Sequence, residues 1–177
     1  QKLEPQFIES HRLSTYNSRG TDVTVVSDLM IHDIGILITI TNSKIKHISA
    51  KGVNIISNSC DVANARIEFE NGCVANLTAS RFSNKKMRKM RLFQKNNYTS
   101  IDFLNHKTES FTIDKAGSPN LINDGINKKV LSYNALREEL SHFVSCIINN
   151  KNPIFDGFLA TKSLKIAVQI QNKINND

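Results

Sequence analysis

The stretch Thr24-Val-Val-Ser-Asp28-Leu-Met-Ile-His32-Asp-Ile-Gly35-Ile-Leu-Ile-Thr39 can be read as strand or as helix, and the choice decides the architecture. Its β-branched residues favour a strand. Its spacing does not: Thr24, Asp28, His32, Gly35 and Thr39 recur at steps of four, four, three and four, one narrow stripe on a helix of 3.6 residues per turn. Around the stripe, all but Ser27 and Asp33 are Val, Leu, Ile or Met. A helix apolar almost all round is buried, so its polar stripe is predicted to face a cavity or cleft. Thr21 or Asp22 is the predicted cap.

Upstream, Phe7 to Arg12 reads as a strand ending in a polar turn, Ser14 to Gly20. Downstream come short segments divided by Asn, Gly, Ser and Lys: Ile45 to Ile56, Ala63 to Glu70, Cys73 to Ser80, Met87 to Gln94, Tyr98 to Phe103 and Glu109 to Ile113. Asn71-Gly72 predicts a two-residue hairpin with a type I′ turn, with Ile67 and Phe69 on one face and Arg66, Glu68 and Glu70 on the other. Helix returns near the C-terminus. Leu136, Leu140, Phe143, Val144 and Ile147 form an apolar stripe behind Asn134 as cap, and Asp156 caps a last helix after the break at Asn149 to Pro153. The predicted fold class is α+β: one predominantly antiparallel open sheet with helices packed on one face, as a single domain over residues 1–177.

Composition narrows the function. The 177 residues, 40% hydrophobic, can bury one core. No segment is long and apolar enough to span a membrane. The chain opens on Gln1-Lys-Leu-Glu-Pro5, without an initiator Met or a signal-peptide pattern, and reads as a piece of a longer or processed chain. Three scattered cysteines, with no C-x-x-C, predict neither disulfide nor metal site and fit a cytoplasmic location. Seven isolated glycines build neither a dinucleotide fingerprint nor a P-loop. The net charge of +7 leaves an anionic partner or an ordinary basic surface open. The basic run Arg81, Lys85, Lys86, Arg88, Lys89, Arg91 and Lys95 is read as a turn and the solvated edge of a strand, because it does not alternate cleanly. Nucleic-acid binding is the less favoured alternative.

Chemistry concentrates on Asp28 and His32. Four apart on a helix, they share a face, so the carboxylate can orient the imidazole or both can reach one ligand. An imidazole titrates near neutral pH and suits proton exchange with a hydroxyl. A self-satisfied polar pair inside a core is the competing reading. Arg12, Arg19, Asp22 and Thr24, around the helix entry, are candidate substrate-binding residues, since arginine forks suit phosphate or carboxylate. Asp33 points off the stripe and is read as an ion-pair or capping residue.

These segments together resemble the C-terminal domain of the Gfo/Idh/MocA family of NAD(P)-dependent oxidoreductases. The resemblance rests on Phe7-Ile-Glu-Ser-His-Arg12, on the D-x-x-x-H of Asp28 to His32, on the hairpin region Asp61 to Ser80, and on Asp156-Gly157. It implies hydride transfer between nicotinamide and a sugar or nucleotide-sugar carbon, His32 as acid/base, and Asp28 orienting it or meeting a substrate hydroxyl. Asp28-Leu-Met-Ile-His32-Asp33 is most similar to members that oxidise UDP-N-acetylhexosamines. It further implies that NAD or NADP is bound mainly by an N-terminal Rossmann domain of about 120–150 residues, absent from this chain. The chain by itself is then predicted to be inactive. Homodimers or homotetramers through the open sheet face are also implied, and a purely oligomerising module is the alternative function.

Overall fold

The computed structural model describes residues 3–17, 22–113, 119–122 and 134–176. The strands are β1 (Phe7–Leu13), β2 (Ile45–Val53), β3 (Val62–Phe69), β4 (Val74–Ser80), β5 (Met87–Gln94), β6 (Asn97–Asp102), β7 (Lys107–Ile113) and β8 (Pro119–Ile122). The helices are α1 (Ile31–Thr41), entered through a π-helical turn at Val26–Met30, α2 (Ala135–Ile148) and α3 (Gly157–Asn176). All eight strands join one sheet in the order β2-β3-β4-β1-β5-β6-β7-β8. Every pairing is antiparallel except β1 with β4, which run parallel. The expected α+β class is therefore observed.

Alternation along the strands sorts residues between the two faces. Ile8, Ala63, Ala65, Ile67, Ala75, Leu77, Met90 and Leu92 point to one face and are buried. Val25, Val26, Met30, Ile34, Leu37 and Ile38 of the first helical segment complete this core with Ile166, Ala167 and Ile170 of α3. No helix covers the opposite face among the described residues. There Phe7, Phe93, Tyr98 and Phe111 stack as a ladder across β1, β5, β6 and β7, with ring centroids 5.7, 5.1 and 5.9 Å apart. Ion pairs Arg91–Glu9 at 3.2 Å and Lys89–Asp102 at 3.5 Å link neighbouring strands, and Lys107–Glu109 at 2.6 Å lies within β7.

Four expectations need correction. The hairpin between β3 and β4 forms, but not with a two-residue turn. Gly72 N–H donates to the Phe69 carbonyl at 3.0 Å, and Phe69 N–H to the Cys73 carbonyl at 2.9 Å. Only Gly72 of the Asn-Gly pair is left-handed, at φ 86°, so the loop is a three-residue turn closed by a glycine bulge. Asn71 instead uses its side-chain oxygen to accept the Cys73 N–H at 3.1 Å. Second, β5 is an interior strand between β1 and β6, not an edge, and its Lys89 and Arg91 pair with carboxylates on neighbouring strands. Third, the helix starts at Thr24, whose hydroxyl accepts the Ser27 N–H at 3.4 Å, rather than at Asp22, and Thr21 lies outside the described residues. Fourth, the apolar stripe of α2 is exposed, Leu136 and Ile147 to 63% and 65%, and Cys146 is the helix's one buried residue. The caps at Asn134, for Arg137 N–H at 3.1 Å, and at Asp156, for Leu159 N–H at 2.9 Å, form as expected.

Candidate functional site

The helical segment 24–41 sets the site. Its apolar residues anchor it on the sheet while Asp28, His32 and Thr39 lie exposed. His32, Gly35 and Thr39 line a groove of about 600 Å³, whose other wall is Ile154, Phe155, Ala160 and Ser163. The polar stripe therefore borders a mainly apolar groove. Gly35 permits it, because a Cβ there would stand 2.9 Å from Phe155 Cε2. Asp28 and His32 share no hydrogen bond.

Arg12, expected at the substrate rim, is buried. Its Nε and Nη2 donate to Asp33 Oδ2 and Oδ1 at 2.9 and 2.8 Å, a two-pronged pair that satisfies both side chains. Asp33 thus has the ion-pair role read from its place off the stripe. His32 is held below the ordinary imidazole range, first by desolvation and then by the Arg12 charge. Arg88 adds to the lowering, while Asp33 and Asp28 oppose it. A lowered pKa leaves the ring neutral and able to accept a proton at neutral pH.

Asp22 is exposed beside Tyr16 and the loop residues Ile56 to Ser59, which line a second, more polar cavity of about 510 Å³. Arg19 lies outside the described residues. Sequence reasoning missed the device that shapes this end. Asp61 Oδ2 accepts the N–H groups of Ile55, Ile56 and Ser57 at 2.7, 2.7 and 3.0 Å, and Oδ1 accepts the Ser57 hydroxyl at 2.6 Å. Burial would raise this carboxyl, yet the Ser57 hydroxyl and the three amides hold it far below the usual range. Arg81, 3.9 Å away through Nε, donates from Nη2 to the Val23 carbonyl and so ties loop 54–60 to the helix entry. The sole hint was a lone Asp in a run of Ser and Asn.

Among the described residues, neither a metal cluster nor a glycine-rich dinucleotide turn is present. No cluster of three His, Cys, Asp or Glu side chains suited to a metal occurs among the described residues. The described glycines lie within a helix (Gly35), in a strand (Gly52), in a hairpin (Gly72) and opening a helix that no strand precedes (Gly157). A dinucleotide needs a glycine-rich turn from strand to helix, and these residues do not supply it. The cysteines are free and buried, and desolvation pushes the Cys73 thiol up to about 11.

Comparison with known proteins places this geometry. The family description "GFO/IDH/MocA C-terminal domain" matches residues 5–96. A UDP-N-acetylglucosamine 3-dehydrogenase of Acidithiobacillus ferrooxidans is 30% identical over 170 residues, covering 94% of this chain and 54% of that protein. A crystal form of the same-named enzyme from that organism superposes with a TM-score of 0.85 at 29% identity, over 97% of this chain and 54% of that one. An oxidoreductase domain protein from Kribbella flavida shares the fold, with a TM-score of 0.85 at 12% identity, over 99% and 58% of the two chains. The chain spans about half the length of the curated relative it matches.

Proposed function

Because this chain belongs to the Gfo/Idh/MocA oxidoreductase family, we propose that it is the substrate-facing half of an NAD(P)-dependent dehydrogenase that oxidises a hydroxyl of a nucleotide sugar. The observation that carries the proposal is His32: a histidine with a lowered pKa, at the mouth of a groove, on a helix anchored to the sheet. When a sugar hydroxyl becomes a carbonyl its proton must leave, and His32 accepts it. Asp28 and Asp22 meet substrate hydroxyls at the exposed helix entry, beside Thr24; Arg19, outside the described residues, is retained as a substrate-binding residue from the sequence alone. The UDP-N-acetylhexosamine substrate class is drawn from the relative's name and from the Asp28 to Asp33 motif.

The dinucleotide is held by a second, Rossmann-type domain outside this chain. Two features support that reading. The described glycines build no phosphate turn, and the apolar stripe of α2 with Ile154 and Phe158 is exposed, a surface that calls for a cover. The opposite sheet face, with its aromatic ladder and ion pairs, is proposed to join copies of the protein.

The test is His32→Asn in the intact protein, assayed for NAD(P)-dependent oxidation of UDP-N-acetylglucosamine. Turnover falls about 10²–10⁴-fold, the ordinary worth of a placed acid or base, while UDP-sugar binding persists. Turnover within a few-fold of wild type would overturn the assignment. The chain by itself, given NAD(P)⁺ and the same sugar, yields no reduced cofactor; reduction at the intact enzyme's rate would remove the second domain from the proposal. A strict monomer in sedimentation at high concentration would refute the sheet-mediated assembly.

A further inference from the structure

Phe155 meets the polar stripe directly. A Cβ on Gly35, one turn on from His32, would stand 2.9 Å from the ring's Cε2 and 3.1 Å from its Cζ. The ring is half-exposed, so its place depends on how its backbone is held. On one side Asp156 is fixed as the cap of α3, its Oδ1 accepting the Leu159 N–H at 2.9 Å. On the other side Ile154 donates its N–H to Nε2 of His142 on α2 at 3.3 Å. Ile154 is itself 75% exposed, so packing does little to hold it and the hydrogen bond matters more.

The turn between α2 and Phe155 is tightly built. Lys151 N–H donates to the Cys146 carbonyl at 2.9 Å and Asn150 N–H to the Ile147 carbonyl at 3.2 Å, with Asn150 left-handed at φ 50°. His142 and Cys146, four apart on α2, share a face of the helix, and both reach the turn. The buried Cys146 thiol lies 3.6 Å from Nε2 of His142 and donates to the Asn152 carbonyl at 3.8 Å. Pro153 has a fixed φ, which removes one more freedom from the segment.

We propose that His142 is a positioning residue for the sugar groove: by accepting the Ile154 N–H it fixes the turn that lays Phe155 against Gly35, and so sets the width of the groove that His32 lines. The proposal rests on the reading of this groove as the sugar site. His142 is not among the residues lining the groove, so its effect must travel through Ile154 and Phe155, which are. The accepting nitrogen carries no proton, which puts the ring hydrogen on Nδ1. A glutamine oxygen can take the same N–H, whereas an alanine methyl cannot. A histidine that only stabilised the fold would, on replacement, lower the amount of active enzyme and leave KM unchanged. Loss of a positioning contact raises KM for the sugar and spares kcat, since His32 and the stripe that carries it are untouched.

The experiment is steady-state kinetics of the intact protein with UDP-N-acetylglucosamine and NAD(P)⁺, alongside NMR amide exchange at Ile154. The variants are His142→Ala, His142→Gln, Phe155→Ala and the double variant His142→Ala/Phe155→Ala. His142 is exposed, so its replacements fold. In His142→Ala, KM for the sugar rises about 2–10-fold, the worth of one neutral hydrogen bond, with kcat unchanged and faster exchange at Ile154. His142→Gln returns both KM and exchange toward wild type. With Phe155 already truncated, His142→Ala adds no further rise, because the two residues act in series. With wild-type turnover intact, three results each overturn the proposal and leave the sugar site standing: an unchanged KM or Ile154 exchange in His142→Ala, a fall in kcat alone, or a full second rise in KM in the double variant. Wild-type protein that reduces no NAD(P)⁺ with the sugar overturns the reading of the groove and this proposal with it.

Discussion

Replacing Asp61 by Asn changes one oxygen to an NH2 group and should destabilise the fold by about 3–5 kcal/mol, the usual effect of breaking a buried charge pair by altering one partner. The structure supplies the reason. The Asp61 side chain is 1% exposed, takes three amides and one hydroxyl, and faces Arg81. An amide can keep the three N–H donors only by turning its NH2 toward the Ser57 hydroxyl and the Arg81 guanidinium, where a donor meets a cation. The hydrogen bonds that survive then lose the charge that made each worth about 1.5–3 kcal/mol. Urea denaturation reads the loss. With a slope of about 1–3 kcal/mol per molar, the midpoint falls by about 1–5 M. Acid gives a second check, with a definite sign. A carboxyl depressed in the folded state stabilises the fold above its unfolded pKa of about 3.9, and that contribution fades as pH falls toward the folded value. The gap between wild type and Asp61→Asn is therefore full at neutral pH and shrinks below about pH 4. A urea midpoint unchanged at pH 7, or a gap as wide at pH 2.5 as at pH 7, would refute the reasoning.

Gly72→Ala places a Cβ at φ 86° and should lower stability by about 1–2 kcal/mol in chemical denaturation, while Asn71→Ala, losing the bond to Cys73 N–H, costs about 1 kcal/mol. Tyr98→Ala removes two ring contacts from the ladder, worth about 0.5–1.5 kcal/mol each beyond the lost area, and sedimentation equilibrium should show weaker self-association; an unchanged dimer constant would move the interface elsewhere. Gly35→Ala pushes on the half-exposed Phe155 ring while gaining about 1 kcal/mol of helix propensity, so the thermal midpoint changes little and KM for the sugar rises as the groove narrows.

Local patterns carried most of the fold. The alternation of Ala65, Ile67 and Phe69, the caps Asn134 and Asp156, and the period of Thr24 to Thr39 are written within a few residues, and each formed where it was read. Non-local pairing was not legible. Nothing near Met87 to Gln94 says that β1 inserts between β4 and β5, which turns an apparent edge into a central strand. Arg12 and Asp33 lie 21 positions apart, so their pairing depends on how the helix crosses the sheet. The π-helical turn at Val26–Met30 keeps nearly the same apolar pattern as an α turn, so periodicity could not distinguish them. Strand β8, Pro119–Ile122, is four residues long and starts with proline, too brief for any alternation to register. The α2 stripe shows the limit from the other side: its amphipathic pattern was correct, but amphipathicity does not say what covers the face.

The parallel seam between β1 and β4 also sets an order of assembly. Ile8 and its neighbours are made before every other strand of the sheet, yet neither strand that flanks them exists until Ser80 and then Gln94 have been made. The β3–β4 hairpin can close on itself in the meantime, whereas β1 waits with both edges unmatched and its apolar residues uncovered. Contacts this distant in sequence slow the search for the native state and lengthen the time in which a strand can find the wrong partner. The strand that carries Arg12 is thus the first strand of the sheet to be synthesised yet must wait for β4 and β5, and the nascent chain is most vulnerable to aggregation in that interval.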